Sequence, residues 1–176
     1  MKRLPVLAVA LALFAAGCGS TSSSTTSPTT PASTNPVFTA ALSPANEVPP
    51  VTNAESTVVG AATITLNTTR DSAGNVTAAT ATFAVTLSGF PAGSSVNIAH
   101  IHEGAATCAC PVIVNTSLAA GDVTVANGLA SFTKTGIVVT PEVAQRIIAN
   151  PGNFYFNVHT TLNGGGVARG TLVKAP

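Results

Sequence analysis

Charged residues are scarce in this chain of 176 residues, since Asp, Glu, Lys and Arg together make up 7% of it. Aromatic residues amount to 5%, and tryptophan is absent. A nucleic-acid-binding domain usually carries a basic patch, often combined with exposed aromatic side chains. The sequence has neither feature, so we expect no nucleic-acid partner.

The N-terminal segment lacks an apolar run long enough to span a bilayer, which requires about 20 such residues. It begins with Lys2 and Arg3, continues through the apolar stretch Leu4–Phe14 and ends in small residues before Cys18. A basic start, a short apolar core and small residues before a cleavage point are typical of a secretory signal. We therefore predict a signal peptide over residues 1–17.

Cys18 follows Ala15-Ala16-Gly17, and a cysteine directly after small residues resembles the bacterial lipobox. The resemblance implies that the Cys18 thiol is acylated, with palmitate among the expected chains. The lipid would then anchor the protein to a membrane, and the protein would be located in the extracytoplasmic cell envelope. The absence of Asp in Gly19-Ser20 favours the outer membrane if the source is diderm. The alternative is an ordinary signal peptide with an incidental cysteine, because the usual lipobox leucine is Ala15 here.

Residues 18–36 are predicted to form a tether. From Gly19 to Pro36 the segment contains only Ser, Thr, Pro, Gly, Ala and Asn, without a charge. Such a composition buries too little apolar surface to offset the entropy of ordering. An extended, solvated spacer would hold the following domain away from the lipid surface.

Residues 37–176 have the length of one domain. Without Lys2 and Arg3 the chain keeps five basic and six acidic residues, a formal charge of −1. Thr, Val and Ala dominate it, and branched side chains favour β-structure. Apolar residues alternate with polar or small ones in Thr63–Leu66 and, after the turn cluster Asp71–Asn75, in Val76–Ala78 followed by Thr82–Leu87. This alternation predicts an antiparallel hairpin.

Further strands and one helix follow from the same kind of pattern. The helix is expected between Thr140, a typical N-cap followed by Pro141, and the stop signal Asn150-Pro151-Gly152. Many short strands with Gly and Pro turns indicate an all-β fold, either a sandwich or a barrel, with one short helix. The other strands are predicted at Val37–Leu42, Val96–His102, Val112–Val114, Leu129–Thr133, Phe154–His159 and Ala168–Val173.

The three histidines of the chain are His100, His102 and His159. Alternate residues of a strand share a face, so His100 and His102 are expected to stand side by side. His159 on a neighbouring strand would complete a three-nitrogen set suited to zinc or copper. We expect the three imidazoles to converge between the opposed sheets of the domain.

Three motifs occur in order: Leu42–Val51 (LSPANEVPPV), Ala99–Gly104 (AHIHEG) and Asn157–Thr160 (NVHT), followed by Arg169-Gly170. Together they resemble the CHRD domain, a module named after the animal protein chordin and common in bacterial secreted proteins. The resemblance covers Val37–Val173 and implies an extracytoplasmic antiparallel β-sandwich, with Greek-key connections and an outline similar to copper/zinc superoxide dismutase. One departure is Gly166-Val167-Ala168-Arg169-Gly170, where the family usually has Gly-Glu-Ile-Arg-Gly, so an acidic residue is missing there.

Three classes of function remain open. In the first, the histidines are structural, bonded to backbone carbonyls and to Glu47, Asn157 or Arg169, in a non-enzymatic domain with a binding or structural role in the envelope. Animal relatives suggest, by analogy, an extracytoplasmic protein ligand. In the second, the histidines hold zinc or copper. The third is a redox or hydrolytic enzyme, but a superoxide dismutase needs a bridging imidazole and an aspartate, and no Gly-x-Ser-x-Gly elbow is present. We expect the first, with metal binding as the alternative.

Five further residues of these motifs are expected to have structural roles. Glu47 and Arg169 are expected to pair across the domain, and Asn46 to belong to a rigid turn. Asn157 is a candidate hydrogen-bond partner of the histidines. Glu103 points away from His102 in a regular strand, so we expect a solvated or turn-capping acid.

Cys108 and Cys110 are separated by one residue. In an extended strand such residues lie near the upper limit for a disulfide, about 6.8 Å between Cα atoms, so a bond requires a turn. We predict the disulfide, because an oxidising compartment favours it. The alternative is that one or both thiolates join the histidines at a metal, a soft ligand set that suits copper(I) or zinc.

Overall fold

The computed structural model describes residues 33–105 and 107–176. The predicted signal peptide, Cys18 and most of the predicted tether lie outside the described residues. The described chain forms two antiparallel sheets and one α-helix, which confirms the all-β sandwich with one short helix. None of the helices in the described part of the chain has the length and apolar character needed to cross a membrane.

The larger sheet comprises β1 (Ser33–Thr34), β2 (Val37–Leu42), β3 (Val59–Arg70), β4 (Val76–Ser88), β7 (Leu129–Val139) and β10 (Val173–Lys174). Its strand order is β10-β2-β3-β4-β7, and β1 also pairs with β3. The β3–β4 pair is the hairpin predicted around Asp71–Asn75, where Asp71 accepts hydrogen bonds from the backbone N–H groups of Ala73 and Asn75. Strand β1 lies inside the segment predicted as tether, so pairing begins before Val37.

The smaller sheet contains the three histidines. It comprises β5 (Val96–Glu103), β6 (Val112–Asn115), β8 (Phe154–Thr160) and β9 (Ala168–Thr171), in the order β6-β5-β8-β9. Strand β8 therefore lies between β5 and β9, with His100 opposite Asn157 and Asn157 opposite Arg169. This register places His100, Asn157 and Arg169 next to one another in a row across three strands.

The prediction of a single strand over Ala168–Val173 is wrong, because the structure divides this segment at Leu172. Strand β9 belongs to the smaller sheet, whereas β10 pairs with β2 of the larger sheet. Between them Leu172 is 1% exposed, and its N–H donates to the carbonyl of Phe154 at 2.9 Å. The chain thus crosses from one sheet to the other at a residue whose side chain enters the core.

The hydrophobic core lies between the two sheets. Alternate residues of each strand contribute to it, among them Phe38, Ile64, Phe83 and Phe156, whose ring stacks on that of Phe83 at 5.7 Å between centroids. Helix α1 (Pro141–Ala149) has the predicted Thr140 cap and adds Ala144 and Ile147 to the core.

Candidate metal centre

The three histidines converge, as the sequence predicts. One ring nitrogen from each of His100, His102 and His159 lies within 4.8 Å of those of the other two. The ring centroid of His100 is 4.4 Å from that of His102 and 4.5 Å from that of His159. Strand β5 supplies two of them at alternate positions and β8 supplies the third, so the cluster is built by strand pairing.

The cluster does not lie between the two sheets, and that expectation is wrong. Ala99 and Ile101 of β5 belong to the hydrophobic core, as do Phe156 and Val158 of β8. Because alternate residues of a strand face opposite sides, the histidines lie on the outer face of the smaller sheet. They are nevertheless 6–8% exposed, since loops cover this face.

Backbone carbonyls of two loops fix the orientation of two rings. His102 donates from Nδ1 to the carbonyl of Cys110 at 2.5 Å, and His159 donates from Nδ1 to the carbonyl of Gly164 at 3.0 Å. A carbonyl oxygen only accepts, so each ring carries its proton on Nδ1 and a lone pair on Nε2. Metal-ligating histidines are usually held in this way.

Three buried ring nitrogens make no hydrogen bond within the described part of the chain: Nδ1 of His100, Nε2 of His102 and Nε2 of His159. A buried polar atom without a partner is costly and rare in folded proteins. Here three such atoms belong to the same cluster. Lone pairs that converge in a buried space are the arrangement that a metal ion would satisfy.

The three imidazoles are neutral at neutral pH. Burial, followed by the neighbouring His159 and His102, lowers the pKa of His100 to about 3. Burial also lowers the pKa of His102 and of His159 below the usual value for histidine; their hydrogen bonds to carbonyls oppose this shift, and the positive charge of Arg169 adds to it. Neutral imidazole is the form that ligates metals, so protons compete little for this site.

Arg169 and Glu47 form a buried ion pair beside the histidines, as expected. Their side chains are 3% and 2% exposed, and Nη2 of Arg169 lies 2.6 Å from Oε2 of Glu47. Burial raises the pKa of the Glu47 carboxyl, although Arg169 and a hydrogen bond from Asn157 lower it. Asn46 donates to the carbonyl of Arg169 at 3.1 Å and ties the Glu47 turn to β9. The carboxylate offsets a positive charge that would otherwise repel a cation.

The acid expected to be missing near Arg169 is supplied by Glu47 instead. Val167, at the position where the family usually has glutamate, is fully buried in the core. The adjacent Gly166 has φ +132°, and a Cβ there would lie 2.6 Å from both carboxylate oxygens of Glu47. Glycine is therefore required for the Glu47 carboxylate to reach Arg169.

None of the hydrogen bonds that we find for the histidines involves Glu47, Asn157 or Arg169, the side-chain partners expected under a structural role. In the described chain, the bonded ring nitrogens of His102 and His159 use backbone carbonyls only. Asn157 is 1% exposed, stands opposite His100 and bonds to Glu47. Asn157 therefore connects the ion pair to strand β8.

Cys108 and Cys110 lie in a turn, with their sulfur atoms within bonding distance and their Cα atoms 5.3 Å apart. The predicted turn is therefore present, and this geometry supports the disulfide. The backbone carbonyl of Cys110 accepts a hydrogen bond from Nδ1 of His102. Among the described residues, the group that could hold a metal consists of the three histidines and includes neither cysteine.

Glu103 is separate from the histidine cluster. Its carboxylate accepts hydrogen bonds from Nε and Nη2 of Arg146 in α1, both at 2.9 Å. The two side chains are 37% and 47% exposed. The prediction of a solvated acid agrees with this exposure, but the partner on the helix was not predicted.

Sequence reasoning missed Tyr155 and a buried network around Glu55. Tyr155 shares the face of His159, a relation that its alternate spacing on β8 already indicates, and its ring stacks on His102 at 4.6 Å. Glu55 is 1% exposed and accepts from Thr160 (2.5 Å) and Asn163 (2.6 Å), which steadies the loop before Gly164. No motif marks Glu55.

The ligand set fits one small transition-metal ion. Zinc–nitrogen distances of about 2.0–2.1 Å in a tetrahedron place ligand nitrogens roughly 3.4 Å apart. The nitrogens of this cluster lie within 4.8 Å of one another, so the rings need to turn inward by at most roughly 1.4 Å to reach that geometry. Three imidazoles leave a fourth coordination position for water or another ligand.

The family assignment rests on a match to a family model. The model of the CHRD domain matches residues 38–172, a range that includes the three histidines, Glu47 and Arg169. No curated protein and no solved structure matches the chain. The chain therefore belongs to the CHRD domain family.

Proposed function

We propose that this CHRD domain binds one Zn²⁺ or copper ion through His100, His102 and His159. The observation that carries the proposal is the set of three buried, unpartnered ring nitrogens within one cluster. Imidazole suits both metals, and two of the rings already have the Nδ1–H tautomer that leaves Nε2 free. Purely structural histidines would have their second nitrogen paired as well.

The proposed role is binding rather than turnover. The support is burial: each of the three histidines is 6–8% exposed, so a substrate would have little access to an ion held there. The chain would serve as a metal-holding or metal-stabilised module, with the ion strengthening the packing of the covering loops. A ligand that binds only the folded state stabilises it in proportion to the logarithm of its concentration above Kd.

The proposed location is the extracytoplasmic cell envelope, with Cys18 as lipid anchor. The support is the signal pattern before Cys18 and the uncharged Ser/Thr/Pro-rich segment after it. A lipid-anchored module could also bind a protein in the envelope, with the metal site as a structural element.

The test is metal binding by the full chain, purified in detergent and stripped with a chelator. Competition with a chromophoric chelator should give one Zn²⁺ or copper ion per chain. Both His100→Ala and His159→Ala should weaken binding at least 100-fold, because each removes one of three ligands. Glu103→Gln is the matched control: it removes a carboxylate next to His102 on the other face of β5 and should leave affinity unchanged.

Two results would contradict the proposal. The first is the absence of stoichiometric metal in a chain that is folded by circular dichroism. The second is stoichiometric binding that survives both histidine substitutions. If the substitutions lower thermal stability in a chain that binds no metal, the structural role of the histidines is the better explanation.

A further inference from the structure

We propose that the Cys108–Cys110 disulfide is a redox-sensitive positioning element of the histidine site, so that thiol–disulfide exchange sets its metal affinity. This inference rests on the proposed metal binding and assigns a regulation to that same site. We call residues Cys108–Pro111 the disulfide turn.

The disulfide turn holds His102 directly and through Tyr155. The carbonyl of Cys110 accepts the Nδ1–H of His102 at 2.5 Å. The hydroxyl of Tyr155 donates to the carbonyl of Cys108 at 2.9 Å and accepts from the N–H of Cys110 at 3.2 Å. The Tyr155 ring also stacks on His102. The imidazole is therefore in contact with the turn itself and with a tyrosine that the turn holds.

Arg169 fastens the other end of the same turn. Its Nη1 donates to the carbonyl of Cys108 at 2.8 Å, and its guanidinium lies 4.7 Å from the ring centroid of Tyr155. The carbonyl of Cys108 thus receives two donors, one from Arg169 and one from Tyr155. The backbone of the turn is fixed on the outer face of the sheet at both cysteines.

The sulfur atoms pack against the end of β5. A Cβ on Gly104 would lie 2.8 Å from Sγ of Cys108 and would collide with Sγ of Cys110. The disulfide therefore fills the space directly beyond His102 and Glu103. Two separate thiols need more room than a bonded pair, since non-bonded sulfur atoms cannot approach to bonding distance.

Opening the disulfide should release the Cys110 carbonyl from its position over Nδ1 of His102. The Cα atoms are 5.3 Å apart in the closed turn, and without the S–S bond only the hydrogen bonds with Tyr155 and Arg169 oppose extension of the segment. Loss of the carbonyl partner removes what fixes the tautomer and orientation of the ring. Changing such a partner of a metal-ligating histidine typically costs 10- to 100-fold in metal affinity.

The free thiols are not expected to become ligands. Cys110 contacts His102 at Nδ1, whereas Nε2 of that ring is the nitrogen left without a partner. A metal bound at Nε2 would therefore be separated from Cys110 by the ring. We accordingly predict weaker binding on reduction, where thiolate ligation would predict tighter binding.

The chemistry of opening is a two-electron reduction. A phosphine reductant donates both electrons, the S–S bond breaks, and two S–H bonds form with protons from water. The phosphine becomes its oxide with oxygen from the same water. In a cell the reductant would be a dithiol, which is itself oxidised to a disulfide.

The test compares zinc affinity of the oxidised and the phosphine-treated full chain after removal of reductant, without air. Thiol titration should show two more thiols per chain after treatment. We expect the reduced chain to bind Zn²⁺ 10- to 100-fold more weakly than the oxidised chain. Cys108→Ser with Cys110→Ser should show the weaker affinity and should not respond to the phosphine.

A second measurement tests the same coupling from the side of the disulfide. Coupling between two sites is reciprocal, so bound zinc should make the disulfide harder to reduce. Each tenfold difference in zinc affinity corresponds to a shift of about 30 mV to more negative potential. A dithiol redox buffer at free zinc concentrations fixed by a chelator measures this shift.

The possible outcomes distinguish failure of this inference from failure of the proposed function. If the oxidised chain binds no metal, the proposed function fails together with this inference. If it binds metal with the same or a higher affinity after reduction, only the inference fails. Should reduction unfold the chain, Tyr155→Phe carries the test with the disulfide intact: it keeps the ring over His102, loses both hydroxyl contacts, and should weaken zinc binding without unfolding. Unchanged affinity in that variant would overturn the inference.

Discussion

Acidification should destabilise the metal-free domain well before its carboxylates are protonated. His100 is 7% exposed, and burial with the two neighbouring imidazoles lowers its pKa to about 3. In the unfolded chain the same residue titrates near 6.5. Between these two pH values the unfolded state binds a proton that the folded state does not.

The direction and magnitude of this change in the free energy of unfolding follow from proton linkage. A histidine with a depressed folded-state pKa contributes its full stability above pH 6.5 and loses it as the pH falls. From pH 7 to pH 5, His100 alone should lower the free energy of unfolding by about 2 kcal/mol. The pKa values of His102 and His159 are shifted in the same direction, so the total loss should be larger.

The measurement is urea unfolding followed by far-UV circular dichroism at several pH values, with a chelator present throughout. The variant His100→Asn cannot titrate and should lose a large part of the slope between pH 7 and pH 5. A free energy of unfolding that stays constant over this range would refute the reasoning. So would a slope that is the same in wild type and His100→Asn.

Two other changes test the surroundings of the site. Glu47→Gln leaves the Arg169 charge buried without its counter-charge and should lower the free energy of unfolding by about 3–5 kcal/mol, measured by urea unfolding. The exposed pair of Glu103 and Arg146 is the control, because Glu103→Gln should cost at most about 1 kcal/mol; equal costs would contradict the assigned burial. Gly166→Ala should destabilise by more than about 1 kcal/mol, since its Cβ would meet both Glu47 oxygens at 2.6 Å and φ is +132°. A neutral or stabilising effect would contradict that contact.

The elements that local sequence determines were predicted well. The turn at Asp71–Asn75 follows from side-chain hydrogen bonds within five residues. Helix α1 begins after Thr140, whose side chain accepts from the N–H of Val143, and it ends before the predicted stop. The pairing of His100 with His102 on one face needs only the two-residue period of a strand.

The side of the sheet on which the histidines lie follows from alternation, because in β8 the core residues Phe154, Phe156 and Val158 alternate with Tyr155, Asn157 and His159. All seven residues of β8 are buried, because the core covers one face and loops cover the other. The alternation does not show that the face with the histidines is also buried, since this depends on how the loops fold over it. Backbone carbonyls were expected among the partners of the histidines, but those of Cys110 and Gly164 could not be identified, because no side-chain pattern encodes them.

The arrangement around Glu47 depends on contacts that are distant in sequence. Glu47 and Arg169 are 122 residues apart, and their motifs indicated the pairing but not the burial of the two side chains. What allows the contact is the missing side chain of Gly166. A sequence shows the glycine, but only the fold shows which atoms occupy the space beside it.

The central claim is that three imidazoles form one metal site, and X-ray absorption spectroscopy of the zinc-loaded chain tests it most directly. The account predicts a first shell with three imidazole nitrogens at about 2.0–2.1 Å and one further light ligand. The multiple-scattering pattern of imidazole should decrease by one ring in His159→Ala. A first shell of sulfur at about 2.3 Å, or one of oxygen atoms without imidazole, would contradict the account.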